Sequence, residues 1–168
     1  HELNALFAQM LNEGCTHCVM EVSSHALDLH RVDYLNFNTA VLTNITSDHM
    51  DYHKTFDHYL NSKKILFDII DKDSKAVVNI DDASVKKLIK DSKANIYYYG
   101  IDTNADFEIS NVEYTLDGTT FNIKYENKVY NLSTCLVGHF NAYNATSAFV
   151  AAVINGVIPE KAVMGIKN

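Results

Sequence analysis

The feature that most constrains the fold is a change of hydrophobic period at Gly100. Before it, short apolar runs alternate with segments whose apolar residues recur every three or four positions, the signatures of buried parallel strands and amphipathic helices. Leu3, Leu6, Phe7, Met10 and Leu11 mark a helix with Gly14 as its C-cap. Residues 16–22 predict a buried strand that carries Glu21 to its carboxyl end, just before Ser23-Ser24-His25. Residues 39–42, 76–80 and 96–99 predict three more strands, with helices over 56–70 and 83–92. After Gly100 the apolar residues alternate: Phe107 and Ile109, then Phe121, Ile123 and Tyr125, then Val129 and Leu132, with Asp117-Gly118 as a hairpin turn. A helix over 142–155 follows, and Pro159 opens another at its first turn. The expected class is α/β, a doubly wound and mostly parallel sheet with helices on both faces plus a small antiparallel β-sheet.

At 168 residues with no linker-like stretch, one domain over 1–168 is expected. The net charge of -7 supplies no basic field for phosphate backbones or anionic lipid, which argues against nucleic acid as a partner. No apolar run approaches the roughly 18 residues of a membrane span. Three cysteines without a secretory leader point to a reducing cytoplasm. Cys15 and Cys18 form a C-x-x-C at the start of an expected strand rather than at a helix N-terminus, so they are expected to be core residues and not a redox pair. The chain opens at His1 and ends within a helical pattern, as a segment of something longer would.

Ligands of open α/β sheets sit beyond the carboxyl ends of the strands. Two such ends are dense in functional groups: Glu21-Val22-Ser23-Ser24-His25, and the stretch from Asn44 through Asp48, His49, Asp51 and Tyr52 to His53. Carboxylates, hydroxyls and imidazoles converging there suit a divalent cation. The plainer alternative is Asp48 as an N-cap, with Tyr52 and His53 on the surface. A metal-dependent hydrolase using Asp48, His49, Asp51 and His53 with Glu21 is a rival reading, although Met50 stands where the general base of an H-E-x-x-H protein would be. Neither glycine-rich phosphate cradle, G-x-x-x-x-G-K-[ST] or G-x-G-x-x-G, occurs. That excludes a self-contained ATPase and leaves a non-catalytic nucleotide-binding module as a further alternative.

Met20-Glu21-Val22-Ser23-Ser24-His25-Ala26-Leu27, Arg31-Val32, Thr43 to His53, Ser62-Lys63, Asn79-Ile80-Asp81-Asp82 and Gly138 to Ala145 stand in an order that resembles the central domain of the Mur ligases. The resemblance covers essentially the whole chain. It implies a cytoplasmic, ATP- and Mg²⁺-dependent amide ligation in peptidoglycan synthesis. The terminal carboxylate of UDP-N-acetylmuramoyl-L-alanyl-D-glutamate is phosphorylated by ATP, and the resulting acyl phosphate is attacked by the amine of a third amino acid. It further implies Glu21 and His49 as Mg²⁺ ligands and Lys63 as a carbamylated lysine that joins them in catalysis and metal binding. Ser23 and Arg31 are implied as contacts to the muramoyl dipeptide, with Asn44 and His25 lining the same crevice, and Asn141 and Asn144 as readers of adenine. Leu29 departs from the pattern, standing where some relatives carry a substrate-touching Gln. The resemblance also places the phosphate loop before His1 and the domain selecting the amino acid after Asn168, so residues 1–168 alone are expected to fold but not to ligate.

Overall fold

The computed structural model of the chain describes residues 2–46, 49–101 and 104–167. Its elements run α1 (Glu2–Asn12), α2 (Ser24–Asp28), β1 (Thr39–Leu42), α3 (Met50–His53), α4 (Phe56–Ile69), β2 (Lys75–Asn79), α5 (Val85–Leu88), β3 (Asn95–Gly100), β4 (Phe107–Thr115), β5 (Gly118–Tyr125), β6 (Lys128–Thr134), α6 (His139–Ile154) and α7 (Pro159–Lys167).

The strands form a single six-stranded sheet in chain order, β1 to β6. β1, β2, β3 and β4 pair in parallel, and β4, β5 and β6 form an antiparallel meander. The antiparallel strands therefore extend the parallel sheet instead of forming a second one. The join is short, Tyr99 opposite Phe107 and Gly100 opposite Glu108. It is held because Phe107 lands fully buried in the same core as Tyr99 and Val77.

Alternation along the central strand β2 sends its side chains to two cores. Ala76 and Val78 pack with Leu42, Leu60 and Phe67 beneath α4, and with Val85 and Leu88 of α5. Val77 packs on the opposite face with Tyr99, Ile109, Ile123 and Phe149 beneath α6. Helices thus cover both faces. Phe149 meets Phe107 edge-on at a centroid distance of 6.3 Å, and Phe107 stacks on Tyr125 at 4.2 Å; each buried ring contributes about 1.5–3 kcal/mol. The Asp117-Gly118 turn joins β4 to β5 as expected. Gly118 sits at φ +146, and a Cβ there would stand 2.2 Å from the Thr134 carbonyl oxygen, so the position admits only glycine.

Three expectations need correction. Residues 16–22 do not form a strand: the backbone from Cys15 to Ser23 is irregular, and Val19 is 99% exposed. A strand is defined by its ladder, and no described strand lies beside this segment to supply one. For the same reason the apolar stripe of α1 has no sheet beneath it, and α1 buries no residue. Its C-cap nonetheless closes as expected, with Cys15 N–H donating to Met10 O at 2.9 Å and Gly14 N–H to Leu11 O at 3.1 Å. Second, Cys15 and Cys18 are exposed free thiols and not core residues, because the segment that carries them lies in solvent. Third, the helix expected over 83–92 shrinks to α5, whose buried residues are Val85 and Leu88. Among the described residues no helix is long and apolar enough to cross a membrane.

Candidate functional site

The carboxyl ends of β1, β2 and β3 form one rim, where side chains from the core fix loops that have no regular structure of their own. The loop after β1 is held from three sides. The Asn79 side-chain amide donates to Thr43 O at 3.1 Å, the Tyr99 hydroxyl donates to Leu42 O at 3.0 Å, and Ile45 N–H donates to the Asp82 carboxylate at 2.6 Å. Beyond β2, the Asp81 carboxylate accepts from Ile101 N–H at 2.7 Å and from the Tyr143 hydroxyl at 3.0 Å. Burial first, and then the Asp81 carboxylate, push the Tyr143 hydroxyl up to about 12, so it stays protonated and keeps donating. This pair fastens the N-terminal half of α6 to the rim.

Asn141 and Asn144 flank Tyr143 on α6, and the Asn144 amide donates to the Asn141 side-chain oxygen at 3.3 Å. The structure therefore brings the two expected adenine readers together. Asn44 is exposed in the loop after β1.

Ser23 is the N-cap of α2, its hydroxyl oxygen accepting from Ala26 N–H at 3.1 Å. At the other end of α2, His30 takes φ +56 and Arg31 N–H donates back to Ala26 O at 2.8 Å, which presents an exposed Arg31. Glu21 is exposed in the irregular segment before Ser23. His25 meets the second motif directly: its ring lies 4.7 Å from that of His49, 4.1 Å from Tyr52 and 5.4 Å from His53. The two motifs, far apart in the chain, thus converge. His49 is the N-cap of α3 in a left-handed conformation at φ 52, where it stands in place of the expected N-cap, Asp48, which lies outside the described residues along with Ser47.

His53 is not a surface residue. It is 1% exposed, and one ring nitrogen, Nε2, lies 2.9 Å from the hydroxyl of the buried Ser24. Desolvation lowers its pKa, with smaller contributions of the same sign from His58, His25 and His49, opposed by Asp28. Asp28 gathers the neighbouring elements: it accepts from the Tyr52 hydroxyl of α3 at 2.7 Å and from the Ser62 hydroxyl of α4 at 3.2 Å, and faces His58 Nε2 of α4 at 3.2 Å. The Tyr52 hydrogen bond is the main cause holding its carboxyl below the usual range.

The two adjacent lysines of α4 separate cleanly. Lys64 pairs with Asp68 at 2.5 Å and with Asp91 at 2.7 Å. Half-buried Lys63 instead lies with Nζ 6.0 Å from the ring centroid of Tyr59, whose ring meets His53 at 5.4 Å. Lys63 therefore faces the side of the histidine cluster. Of the rival hydrolase set, Asp51 is exposed and His53 is turned to Ser24. Among the described residues, the group with ligand atoms close enough for one ion is a different one: Asp28, His53 and His58. Sequence reasoning assigned no role to Asp28, His58, Asp81, Asp82 or Tyr143. Asp81, Asp82 and Tyr143 sit inside motifs that stood out, whereas Asp28 and His58 carried no spacing signal.

A largely parallel sheet covered by helices on both faces, with acidic and imidazole groups along the carboxyl rim of its parallel strands, defines the open α/β class that places its ligands at that rim. Residues 1–152 match the family described as Mur ligase middle domain, and the chain belongs to that family. It is 40% identical over 166 residues to UDP-N-acetylmuramoyl-L-alanyl-D-glutamate--2,6-diaminopimelate ligase of Cytophaga hutchinsonii, covering 99% of this chain and 33% of the relative. The Bacillus cereus protein of the same name is 38% identical over 172 residues, covering 99% of this chain and 35% of the relative. The chain spans about a third of the length of these relatives. A solved structure of a ligase of that name superposes with a TM-score of 0.89 at 29% identity, over 98% of this chain and 35% of that one. The MurF ligase of Thermotoga maritima in complex with ADP shares the fold, with a TM-score of 0.64 at 15% identity over 82% of this chain and 31% of that one.

Proposed function

We propose that the chain acts as the central, ATP-binding domain of a ligase that adds an amino acid to UDP-N-acetylmuramoyl-L-alanyl-D-glutamate, in the cytoplasm. The observation that carries this reading is the convergence of the Ser23–His25 and His49–His53 segments through the contacts of His25 with His49 and Tyr52. On the same sheet rim, Asp81 fastens the helix that carries Asn141 and Asn144.

In this reading Asn141 and Asn144 hold adenine, and Ser23, His25, Arg31 and Asn44 hold the muramoyl dipeptide. Arg31 meets its anionic groups from the turn that closes α2. Glu21, His49 and a carbamylated Lys63 offer two oxygen anions and one imidazole, a donor set suited to Mg²⁺. The ion would supply charge neutralisation as the γ-phosphoryl group moves to the substrate carboxylate. The bond between the β,γ-bridging oxygen and the γ-phosphorus breaks, leaving ADP, and a carboxylate oxygen bonds to that phosphorus. The amine of the amino acid then attacks the acyl carbon, phosphate leaves, and the amine proton passes to solvent or base. No glycine-rich phosphate loop lies within the 168 residues, so ligation requires that grip from elsewhere.

The test is Lys63→Ala beside Lys64→Ala in the full-length ligase containing this domain. Lys63→Ala is expected to abolish turnover, with partial rescue by short carboxylic acids that restore an anion in the vacated place. Lys64→Ala should cost stability only, because its partners are Asp68 and Asp91. Unchanged turnover in Lys63→Ala would overturn the assignment.

A further inference from the structure

The Asp28, His53 and His58 cluster shares no residue with the set assigned above to Mg²⁺, and its hydrogen-bonding is incomplete in a specific way. His58 Nδ1 lies 3.0 Å from the His53 carbonyl oxygen. A carbonyl only accepts, so Nδ1 carries the ring proton and donates. In neutral His58 the remaining nitrogen, Nε2, is then a bare lone pair, yet it faces the Asp28 carboxylate oxygen at 3.2 Å. Two lone pairs at that distance repel unless a cation lies between them, either a proton or a metal ion. The neighbouring His53 has the same need: it is 1% exposed, its Nε2 is engaged with Ser24, and its Nδ1 is buried with no hydrogen-bond partner. An orphaned polar atom of this kind costs about 1–3 kcal/mol.

We propose that Asp28, His53 and His58 form a site for a divalent transition metal of the zinc class, distinct from the Mg²⁺ ligands of the ligase reading. One ligand atom from each residue falls within 4.8 Å of the others. Tetrahedral ligands about 2.1 Å from Zn²⁺ stand about 3.4 Å apart. Asp28 and His58 already stand near that spacing at 3.2 Å, and the remaining separations, within 4.8 Å, would close as the side chains contract around the ion. Two imidazoles and one carboxylate leave a fourth position open for water. The supporting hydrogen bonds are those that metal ligands ordinarily make. The His53 carbonyl fixes the His58 tautomer, and Tyr52 and Ser62 orient the Asp28 carboxylate. Nitrogen donors favour zinc-class ions over Mg²⁺ here. Since the three ligands come from the C-terminal end of α2, the end of α3 and the first turns of α4, bound metal would lock these elements together beside Ser62 and Lys63.

The chain is tested with Cys15→Ser, Cys18→Ser and Cys135→Ser, which remove the exposed thiols that would compete for the ion. Cobalt(II), as a spectroscopic stand-in for zinc, and Zn²⁺ itself are titrated into metal-free protein. One equivalent is expected to bind with the intense visible absorption of tetrahedral coordination, and excess Mg²⁺ should not displace it. His58→Gln, at a half-exposed position that the fold does not need, and Asp28→Asn should each weaken binding at least about tenfold. His139→Gln, on α6 with its ring against Phe140 and Tyr143 rather than in the cluster, should bind as the parent does. Ring nitrogen resonances of His53 and His58 should both shift on addition of Zn²⁺, a readout that needs no variant. Equal affinity in His58→Gln and the parent, no stoichiometric binding, or full displacement by Mg²⁺ would each overturn the proposal. Ligase turnover enters none of these readouts, so this site and the ligase reading stand or fall separately.

Discussion

Tyr99→Phe isolates how the core positions the site. Tyr99 is fully buried, and its hydroxyl donates to Leu42 O at 3.0 Å and also approaches Thr43 O at 3.3 Å, the two carbonyls where β1 turns into the loop bearing Asn44. Burial raises its pKa, so the hydroxyl stays protonated and keeps donating at any physiological pH. Removing the oxygen leaves the ring packing intact and withdraws one donor from two acceptors. Thr43 O keeps the Asn79 amide at 3.1 Å. The loss is therefore near the net value of a buried hydrogen bond, with a surcharge for Leu42 O, or about 1–2 kcal/mol. For a domain of this size each kcal/mol moves the melting midpoint by about 2–4 °C, so a fall of about 2–8 °C is expected. Scanning calorimetry reads the midpoint. Amide hydrogen exchange reads the consequence for the site, with faster exchange at Asn44 and Ile45 than at β5. A midpoint within about 1 °C of the parent, or exchange that accelerates uniformly, would refute the idea that this hydroxyl fastens the loop.

Gly118→Ala should be among the most damaging single-methyl additions, because the new Cβ would lie 2.2 Å from the Thr134 carbonyl at φ +146; backbone strain costs about 1–3 kcal/mol and relieving the contact adds to it, read as a lowered melting midpoint. Acidification should destabilise the chain in two steps. The folded state holds His53 neutral by burial, so the unfolded chain binds more protons once the pH drops below about 6.5, and stability falls with it. Asp28, whose pKa is lowered mainly by Tyr52, contributes stability that is present above about 3.9 and lost as the pH falls through its lower folded value. His53→Gln should flatten the first step and leave the second; an unchanged slope between pH 7 and 5 would show that His53 is not its source.

The fold was legible where a periodic pattern had a partner to satisfy it. The apolar run Ala76-Val77-Val78 read as a buried parallel strand and packs both its faces into cores, and the Asp117-Gly118 signal foretold the hairpin that Gly118 makes. It was not legible where a pattern depends on a neighbour: residues 16–22 read as a buried strand by composition, yet strand formation is a property of a ladder and not of a segment. The burial expected for Cys15 and Cys18 failed with it. At the site, the dense motifs stood out in the sequence because several chemical groups crowd a few positions, and the structure brings two of them together through His25 and His49. Asp28 and His58 were not, since neither lies in a motif and their meeting at 3.2 Å depends on the packing of α2 against α4.

Adjacent acids hold the two halves of the rim, and this explains how a site spread over loops can be precise. Asp82 takes Ile45 N–H and so fixes the loop leading toward His49, while Asp81 takes Tyr143 and so fixes the helix bearing Asn141 and Asn144. Both carboxylates leave the end of β2, the strand with the most buried sequence in the sheet, from Ala76 to Val78 at 0% exposure. The register of β2 against β1 and β3 therefore sets the spacing between the proposed nucleotide side and the proposed metal side. A slip of one residue would exchange the faces of Ala76, Val77 and Val78 and turn Asp81 and Asp82 away from their partners together. The same rigid strand that builds both cores thereby ties the integrity of the fold to the geometry on which the chemistry depends.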